Sequence, residues 1–518
     1  MLHHLLRASA LVHANKTALV AAGSRLSYSR LQAEALHLAA LLRAAGAQSG
    51  DRVAMIIANC AEAAVSAWGI LEAGCVLVPL NPGSRKGALQ SVLLDCEPHW
   101  IISSTELSAV LAGAIPSQVT PDRRLLWSSS SGGTATQRAS PDGSVQLSLA
   151  GDAEAVDTPP PVTGGDPESL GSVLYTSGST GEPKGVMLSH SNMLAAVRAV
   201  NSYLRLESSD VIYSPLPLSS SYGLYQLIIG LAVGATVVLD RSFAFPARSL
   251  ALIASEKATV FAGVPTMYAW LVSSGTQAAP DLSALRILTS AAASLPIEHA
   301  KRIRTLLPQA RLFVMYGQTE CKRISYLEPE DLDRKPGSVG RGMPYQQHAV
   351  VDEAGVEVAA GEIGELVVCG PHVMQGYWQK PAESERKLRP IAGSNLPWLH
   401  TDDLFRMDAD GYLYFVGRRD DLLKIGGHKV SPREVEEVLC QLPQVREAAV
   451  IGAPDSTWGQ VVSAYLVCRE GQSVDAADVI RFCSSHLPGH MVPRSVVFMR
   501  ELPKTESGKV RKRDLAPT

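Results

Sequence analysis

The sequence predicts an α/β protein with a large N-terminal domain and a small C-terminal domain. The chain has 518 residues, of which 46% are hydrophobic and 19% charged, so it can bury a large core and more than one domain is expected. Short apolar runs alternate with segments of helix length, which is typical of parallel sheets covered by helices on both faces. After about residue 417 the pattern changes to a smaller α+β unit.

The alternation begins near the N-terminus. From Ser27 a helical pattern places leucines and alanines on one face, with Gly46 positioned to end the helix. An apolar run at 52–57, a helix at 61–72 and a second apolar run at 75–80 follow, which is a βαβ pattern. Further predicted strands lie at 234–239, 258–261, 285–288 and 311–315.

Between residues 127 and 168 the composition is rich in Ser, Gly, Thr and Pro. Such a composition buries little apolar area, so we predict a surface loop or a flexible crossing there.

The C-terminal region opens with a helix signal. Ser431-Pro-Arg-Glu434 has the form of a capping box with proline at the first helical position, which predicts a helix to about Leu442. Strands are predicted at 447–451, 461–467 and 495–498, with a helix that starts near Val474.

Net charge, cysteine spacing and the lengths of apolar runs limit the classes of partner and the compartment expected for this protein. The formal net charge is −3 and charges of both signs are intermixed, so we expect no nucleic-acid partner and no anionic membrane surface. The eight cysteines are scattered without the close pairs of zinc or redox motifs, which favours a reducing compartment. No run approaches the roughly 20 apolar residues of a membrane span, and we expect a soluble, cytoplasmic protein.

The strongest local signal is Tyr175-Thr-Ser-Gly-Ser-Thr-Gly-Glu-Pro-Lys-Gly185, which lies between two apolar runs. Hydroxyls, glycines and one lysine in a loop suit a phosphate chain, because backbone N–H groups and hydroxyls can surround its oxygens. The spacing is not that of a Walker A loop, since Gly185 follows the lysine where that motif needs Ser or Thr. A mobile Gly/Ser linker is the alternative, but linkers rarely lie between two strands.

This loop resembles the signature of the adenylate-forming superfamily, which includes acyl-CoA synthetases, peptide-synthetase adenylation domains and luciferases. The resemblance implies a large N-terminal domain with a β-barrel-like subdomain and a mobile C-terminal domain. The nucleotide-binding residues that it implies in this loop are Thr176, Ser177, Gly178, Ser179, Thr180, Gly181 and Lys184.

A second element, Tyr316-Gly-Gln-Thr-Glu320, follows a predicted strand and resembles the aromatic-Gly-x-Thr-Glu motif of the same superfamily. The resemblance implies that Tyr316 stacks on adenine, that Thr319 reaches the α-phosphate and that Glu320 helps to hold magnesium. Carboxylate oxygens are ligands that Mg²⁺ prefers. The resemblance also assigns five further residues to nucleotide binding: Gly317, Gln318, Ala292, Ala293 and Ser294.

A third and a fourth element lie further on. Asp403 and Arg418 match the residues that hold the ribose hydroxyls in the family, whereas Asp402 stands where the family usually has glycine. The charged segment after Arg418 resembles the hinge, with Asp420 as its pivot, although an exposed charged hairpin is the alternative. The implied domains are 1–417 and 423–518, joined by a hinge at 418–422.

The fifth element, Pro503-Lys-Thr-Glu-Ser-Gly-Lys509, resembles the loop that carries the catalytic lysine, and Lys509 is the matching residue. A positive charge between a carboxylate and the α-phosphate offsets the repulsion of two anions. A basic tail that binds nucleic acid is the alternative, which the slightly acidic chain disfavours.

The implied activity is attack of a small carboxylic acid on ATP to give acyl-AMP and pyrophosphate, with Lys509, Thr319 and Glu320 as catalytic residues. The acyl group then passes to coenzyme A or to the phosphopantetheine of an acyl or peptidyl carrier protein. Two alternatives stay open: a stand-alone aminoacyl-AMP ligase of secondary metabolism, and a catalytically silent nucleotide-binding relative.

The resemblance also places the acyl group. Amino-acid-activating relatives carry an aspartate near Ser221, and this chain has three serines at 219–221 instead, which weakens an amino-acid substrate because a buried ammonium needs a partner. Plain packing is the alternative for each pocket serine. The implied substrate residues are Ser220, Ser221, Tyr222, Gly223, Gly263, Ser290 and Val339.

Overall fold

A computed structural model of the chain divides into two compact units. Unit 1 comprises Met1–Asp331, Gly342–Gln347 and Val368–Arg389, and unit 2 comprises Leu332–Arg341, His348–Val367 and Pro390–Thr518. The residues that the structure describes are 1–107, 111, 113–117, 119–120, 123–127, 138–139, 145–147, 165–177, 182–274, 280–425, 428–455, 458–504 and 510–515. Unit 2 contains chain from both sides of the predicted hinge at 418–422, and that division stays a prediction.

The helices, numbered along the chain, are α1 (His4–Val12), α2 (Tyr28–Ala44), α3 (Ala61–Glu72), α4 (Lys86–Cys96), α5 (His190–Leu204), α6 (Ser221–Ala232), α7 (Pro246–Ser255), α8 (Pro265–Ser274), α9 (Ile297–Leu306), α10 (Pro381–Lys387), α11 (Pro432–Leu439) and α12 (Ala476–His486).

The strands are β1 (Thr17–Ala21), β2 (Ser24–Ser27), β3 (Arg52–Ile56), β4 (Val76–Pro79), β5 (Trp100–Ser104), β6 (Arg124–Trp127), β7 (Arg138–Ala139), β8 (Val145–Leu147), β9 (Leu170–Ser177), β10 (Pro183–Ser189), β11 (Val211–Ser214), β12 (Thr236–Leu239), β13 (Val260–Gly263), β14 (Ile287–Ser290), β15 (Arg311–Tyr316), β16 (Ser325–Leu327), β17 (Arg341–Gly342), β18 (Gln347–Val351), β19 (Ile363–Cys369), β20 (Gly376–Tyr377), β21 (Leu388–Arg389), β22 (Trp398–Met407), β23 (Leu413–Arg418), β24 (Leu423–Ile425), β25 (His428–Val430), β26 (Val445–Asp455), β27 (Gly459–Cys468) and β28 (Ser495–Phe498).

Two large sheets form unit 1, and both are mainly parallel. In the first sheet β1, β12, β11, β13, β14 and β15 are consecutive parallel neighbours, with antiparallel β2 and β16 beside β1 and β15. In the second sheet β9, β4, β3, β5, β6 and β8 are parallel, and antiparallel β10 lies beside β9. The predicted parallel α/β class is confirmed.

The predicted elements near the N-terminus are confirmed. Ser27 caps α2, since its hydroxyl oxygen accepts a hydrogen bond from the Arg30 backbone N–H at 3.2 Å. Two strands lie two residues later than predicted. Before β13, residues 258–259 close the turn after α7, where the Ala258 N–H bonds to the Ile253 carbonyl; before β14, the Leu285 N–H bonds to the Leu282 carbonyl in a turn. As a result β13 and β14 end at Gly263 and Ser290.

The stretch from residue 127 to 168 departs from the loop prediction at two places. The strands β7 and β8 lie within it, and β8 pairs in parallel with β6. The alternation Val145-Gln-Leu147 places Leu147 in the core, where 4% of its surface is exposed. Residues 128–137, 140–144 and 148–164, on which most of that prediction falls, lie outside the described residues.

Unit 2 combines an antiparallel region with a small α+β region. β18, β19 and β22 are consecutive in one sheet, β23 pairs with β22, and β26, β27 and β28 form a separate sheet beside α11 and α12. The predicted cap is confirmed, since the Ser431 hydroxyl oxygen accepts from the Glu434 N–H. The helix ends at Leu439, three residues before the predicted end, because Leu442 lies in the following turn.

None of the helices in the described ranges is long and apolar enough to cross a membrane.

Candidate active site

The predicted phosphate loop joins two antiparallel neighbours, β9 and β10. Thr176 lies opposite Lys184 in the strand register, and Ser177 lies opposite Pro183. The structure therefore brings the first and last predicted residues of this loop together at one end of the strand pair. Gly178, Ser179, Thr180 and Gly181 lie outside the described residues.

Lys184 is buried and its charge is already paired. Its ammonium forms an ion pair with Glu383 of α10 and lies 5.6 Å from the ring centroid of Tyr377. A phosphate that bound Lys184 would therefore replace or share the carboxylate of Glu383. Glu383 was not predicted, because a contact between residues so distant in sequence leaves no local pattern.

Several predicted residues meet where parallel strands end. Gly263, Ser290 and Tyr316 are the last residues of β13, β14 and β15, and these strands are neighbours in register. In open α/β sheets, ligands bind outside the carboxyl ends of the strands. The segment that follows β14 is exposed at Ala292, Ala293 and Ser294, and Ala292 has a φ of +73°.

Glu320 lies in the connection between β15 and β16, within a 3₁₀ turn from Thr319 to Cys321. Its Oε1 accepts a hydrogen bond from the Tyr377 hydroxyl at 2.7 Å, and its backbone carbonyl accepts one from the Met374 N–H at 2.8 Å. The carboxylate is thus held in one orientation. Tyr377 was missed, since nothing near it in sequence marks it.

The residues around Glu320 suit magnesium that arrives with a nucleotide. Within the described residues no group of three or more His, Cys, Asp or Glu side chains could hold a metal ion. Mg²⁺ commonly binds through one or two carboxylates together with substrate phosphates and water, so a single oriented carboxylate fits such an ion.

The predicted acyl residues have mixed structural roles. The Ser220 hydroxyl caps α6, because its oxygen accepts from the Gly223 N–H at 3.0 Å. A Cβ on Gly223 would lie 2.2 Å from the Pro217 carbonyl oxygen, so the turn requires glycine. Local structure thus accounts for Ser220 and Gly223, whereas Ser221 and Tyr222 begin the helix beside Lys322 and Arg323.

Two buried cations, Lys322 and Arg323, lie against these residues. The Lys322 ammonium donates to the Ser221 carbonyl at 3.2 Å and lies 5.1 Å from the Tyr222 ring centroid. The Arg323 guanidinium lies 5.3 Å from the same ring. Lys322 and Arg323 are only 5% and 3% exposed, and sequence reasoning gave neither a role.

These cations have no acidic partner: within the described residues neither forms an ion pair with Asp or Glu. Burial, together with the neighbouring Arg323, holds the pKa of Lys322 well below its usual value. Cation–π contacts contribute about 2 kcal/mol when desolvated, whereas burying an ion costs several kcal/mol, on the order of twice as much. The ring contacts therefore offset only part of the desolvation penalty.

The two residues predicted to bind the ribose are cross-strand neighbours in unit 2. Asp403 on β22 lies opposite Arg418 on β23, and the Arg418 Nε is 3.4 Å from the Asp403 Oδ1. Asp402, which replaces the family's glycine, has a φ of +58°, so it keeps the left-handed backbone that a glycine would adopt. Its N–H donates to Glu365 Oε1 at 2.9 Å.

Glu365 is a buried centre of contacts in unit 2. Its Oε2 lies 3.0 Å from His400 Nδ1 and accepts from Arg419 at 3.2 Å. Burial alone would raise the pKa of Glu365, but the hydrogen bonds from His400 and the Asp402 N–H lower it overall. Arg419 belongs to the 3₁₀ turn Arg419–Asp421, so Glu365 anchors the segment that contains Asp420.

Val339 belongs to unit 2, where its N–H donates to the Leu413 carbonyl at 2.9 Å. Lys509 lies outside the described residues, whereas Lys504 and Val510 on either side of that segment form an antiparallel bridge.

A parallel-rich α/β unit with an oriented carboxylate beyond the carboxyl ends of its strands has the architecture of an α/β ligand-binding protein. The AMP-binding enzyme family model matches residues 6–378, and the model of the AMP-binding enzyme C-terminal domain matches residues 434–509. The chain belongs to the AMP-binding enzyme family.

Three relatives illustrate the similarity. A long-chain-fatty-acid–CoA ligase of Bacillus subtilis is 32% identical, with 99% of this chain and 94% of the relative covered. A feruloyl-CoA synthase of Amycolatopsis is also 32% identical, with 96% and 94% covered. The ATP-bound crystal structure of MatB from Rhodopseudomonas palustris has a TM-score of 0.84 at 30% identity, with 99% and 98% covered.

Proposed function

We propose that this protein is an AMP-forming acid–CoA ligase. A carboxylate oxygen of the acid attacks the α-phosphorus of ATP, the bond from that phosphorus to the bridging oxygen breaks, and pyrophosphate leaves. The thiol of coenzyme A then attacks the carbonyl of the acyl-AMP. The thiol proton is lost to solvent, AMP leaves, and a thioester is formed.

The observation that carries this proposal is the orientation of Glu320 by Tyr377 in the loop after β15. In this arrangement Tyr316 ends the strand, Thr319 and Glu320 occupy one turn, and the Glu320 carboxylate is held at 2.7 Å by a neutral donor. A neutral partner leaves the negative charge of Glu320 available for magnesium, which would shield the phosphates of ATP.

The other proposed roles follow the motif matches. Lys184 and the hydroxyls and glycines of 176–181 bind the phosphates, Asp403 holds the ribose with Arg418, and Lys509 stabilises charge during transfer of the adenylyl group. Asp420 is proposed as the pivot of a rotation between the two half-reactions.

Coenzyme A is the proposed acceptor. The support comes from relatives that differ in their acid, since the B. subtilis relative is a long-chain-fatty-acid–CoA ligase and the Amycolatopsis relative is a feruloyl-CoA synthase. No feature of the described residues favours a carrier protein, and that acceptor is an outcome of the test.

The test is ATP–pyrophosphate exchange with a panel of fatty, aryl, hydroxy, amino and dicarboxylic acids, followed by mass spectrometry after coenzyme A or a phosphopantetheinylated carrier protein is added. We expect acid-dependent exchange and an acyl-CoA product. Glu320→Gln should lose most exchange, while Glu330→Gln, an exposed control in the same unit, should keep it. Exchange that yields a thioester only on the carrier protein would contradict the acceptor, and no exchange with any acid would contradict the enzyme class.

A further inference from the structure

We propose that the acid carries a second carboxylate and that Arg323, with Lys322 beside it, binds this group. The inference rests on the proposed function and specifies its substrate class. It begins from the permanent charge of Arg323, since a guanidinium stays protonated throughout the physiological pH range.

Lys322 and Arg323 lie against residues that are assigned to the acyl group. Arg323 and Lys322 both face the ring of Tyr222, at 5.3 and 5.1 Å, and Lys322 also donates to the backbone of Ser221. Tyr222 is itself held by hydrogen bonds to the backbone carbonyl and hydroxyl of Thr289, at 3.0 and 2.7 Å. Because Ser221 and Tyr222 are the residues assigned to the acyl group, the cations lie beside the non-reacting part of the substrate.

The buried guanidinium of Arg323 lacks a counter-charge within the described residues. Charged groups that are almost fully buried are normally paired or hydrogen-bonded. Arg323 bonds to the Tyr203 hydroxyl, but its Nε has no hydrogen-bond partner within the described residues. A carboxylate is the planar acceptor that fits the edge of a guanidinium, so a ligand with such a group would supply the missing partner.

The backbone between Cys321 and Arg323 has a strained conformation. Lys322 has φ +62° and ψ −58°, and the Arg323 N–H donates to the Cys321 carbonyl at 2.6 Å, which is a γ-turn of the rare, strained form. The turn packs on Gly317, where a Cβ would lie 2.6 Å from the Arg323 Cα. Backbone strain of this kind persists only where the surrounding structure holds it, and it is concentrated at sites that bind ligands.

The inference is tested by comparing each dicarboxylic acid with its methyl half-ester and with the monoacid of equal length, in pyrophosphate exchange. We expect kcat/KM for the best diacid to exceed that of its half-ester by about 100-fold, the loss that follows when a buried charged group is left without its hydrogen-bond partner. In Arg323→Gln and Arg323→Met that ratio should fall to near one, mainly through the diacid. Arg311→Gln, a partly exposed arginine at the start of β15, should keep the wild-type ratio.

A second measurement covers variants that fold poorly. The diacid alone should raise the thermal midpoint of the wild-type protein and not that of the two Arg323 variants. The inference is overturned if half-esters and monoacids match the diacid in the wild type, or if Arg323→Gln lowers turnover equally for every acid, which would place Arg323 at the reacting carboxylate. Exchange only with acids that carry a single carboxylate would overturn the inference and leave the proposed ligase activity intact. No exchange with any acid would overturn the inference and the proposed ligase activity together.

Discussion

The hydroxyl of Tyr377 donates a hydrogen bond to Oε1 of Glu320 at 2.7 Å, and the ring of the same tyrosine lies 5.6 Å from the ammonium of Lys184. One aromatic side chain therefore contacts two residues that were assigned to the nucleotide from separate motifs. Tyr377 belongs to β20, a short strand that pairs with β10, and this pairing is what brings it to both partners.

Tyr377→Phe should weaken the response to magnesium. A hydrogen bond to a charged group contributes about 1.5–3 kcal/mol at most, so we expect a roughly tenfold higher magnesium concentration for half-maximal exchange. The measurement is exchange rate against free Mg²⁺. Tyr175→Phe is the matched control, because it removes a hydroxyl that bonds to Asp95 at 2.5 Å. An equal shift in both variants would contradict a specific role for Tyr377.

Glu383→Gln should tighten ATP binding. Its carboxylate pairs with Lys184 and competes with a phosphate for the same ammonium, so we expect the KM for ATP to fall by about threefold to tenfold. Glu385→Gln, exposed on the same helix, should leave the KM unchanged. A rise in the KM for ATP in Glu383→Gln would show that the ion pair orients Lys184 for the nucleotide and does not compete with it.

Lys509→Ala should lose most adenylation while ATP binding is kept, because the lysine acts on charge that develops during transfer. We expect a fall of at least about 100-fold in exchange, the loss typical when one electrostatic donor is removed. Nucleotide affinity is measured by calorimetry. Lys504→Ala is the control, since that lysine pairs with Glu447 at 2.6 Å and is given no catalytic role. Loss of ATP affinity with exchange retained would show that the lysine is wrongly assigned.

Asp420→Pro should impair thioester formation more than adenylation, since a proline restricts the backbone of the proposed pivot. The two half-reactions are measured separately, by pyrophosphate exchange and by thioester yield from preformed acyl-AMP. Asp420→Ala, which leaves the backbone free, should affect both steps less. Equal loss of the two half-reactions in the proline variant would contradict a two-state rotation.

Asp402→Val should destabilise the protein by about 1–2 kcal/mol, because a β-branched residue adopts a positive φ only with strain. Asp402→Gly should be tolerated, since glycine adopts this conformation readily. Urea unfolding of the two variants provides the comparison. Equal stabilities would mean that the backbone at this position relaxes to negative φ.

Much of the fold followed from local pattern. The helix that begins after Ser27 and the capped helix after Ser431 are confirmed, because each start depends on a hydroxyl that reaches an N–H three residues later. Strand ends were displaced at β13 and β14, since the apolar residues before them belong to turns: Ala258 closes the end of α7, and Leu285 bonds back to Leu282. The strands β7 and β8 were missed, because they are only two and three residues long and too short to show a strand pattern in a Ser/Gly-rich stretch.

The sequence by itself determined the features from which the chemistry is predicted: the order of the motifs, the loop with Glu320, the carboxylate of Asp403 and the lysine at 509. Those features are local, because each consists of residues that are adjacent in the sequence. Only the tertiary structure decided which side chains face them. Tyr377 meets Glu320, and Glu383 neutralises Lys184. Arg323 lies buried beside Tyr222, with no acidic partner among the residues that the structure describes. Such contacts join residues that are far apart in the chain, and their energies depend on burial, which no local pattern records.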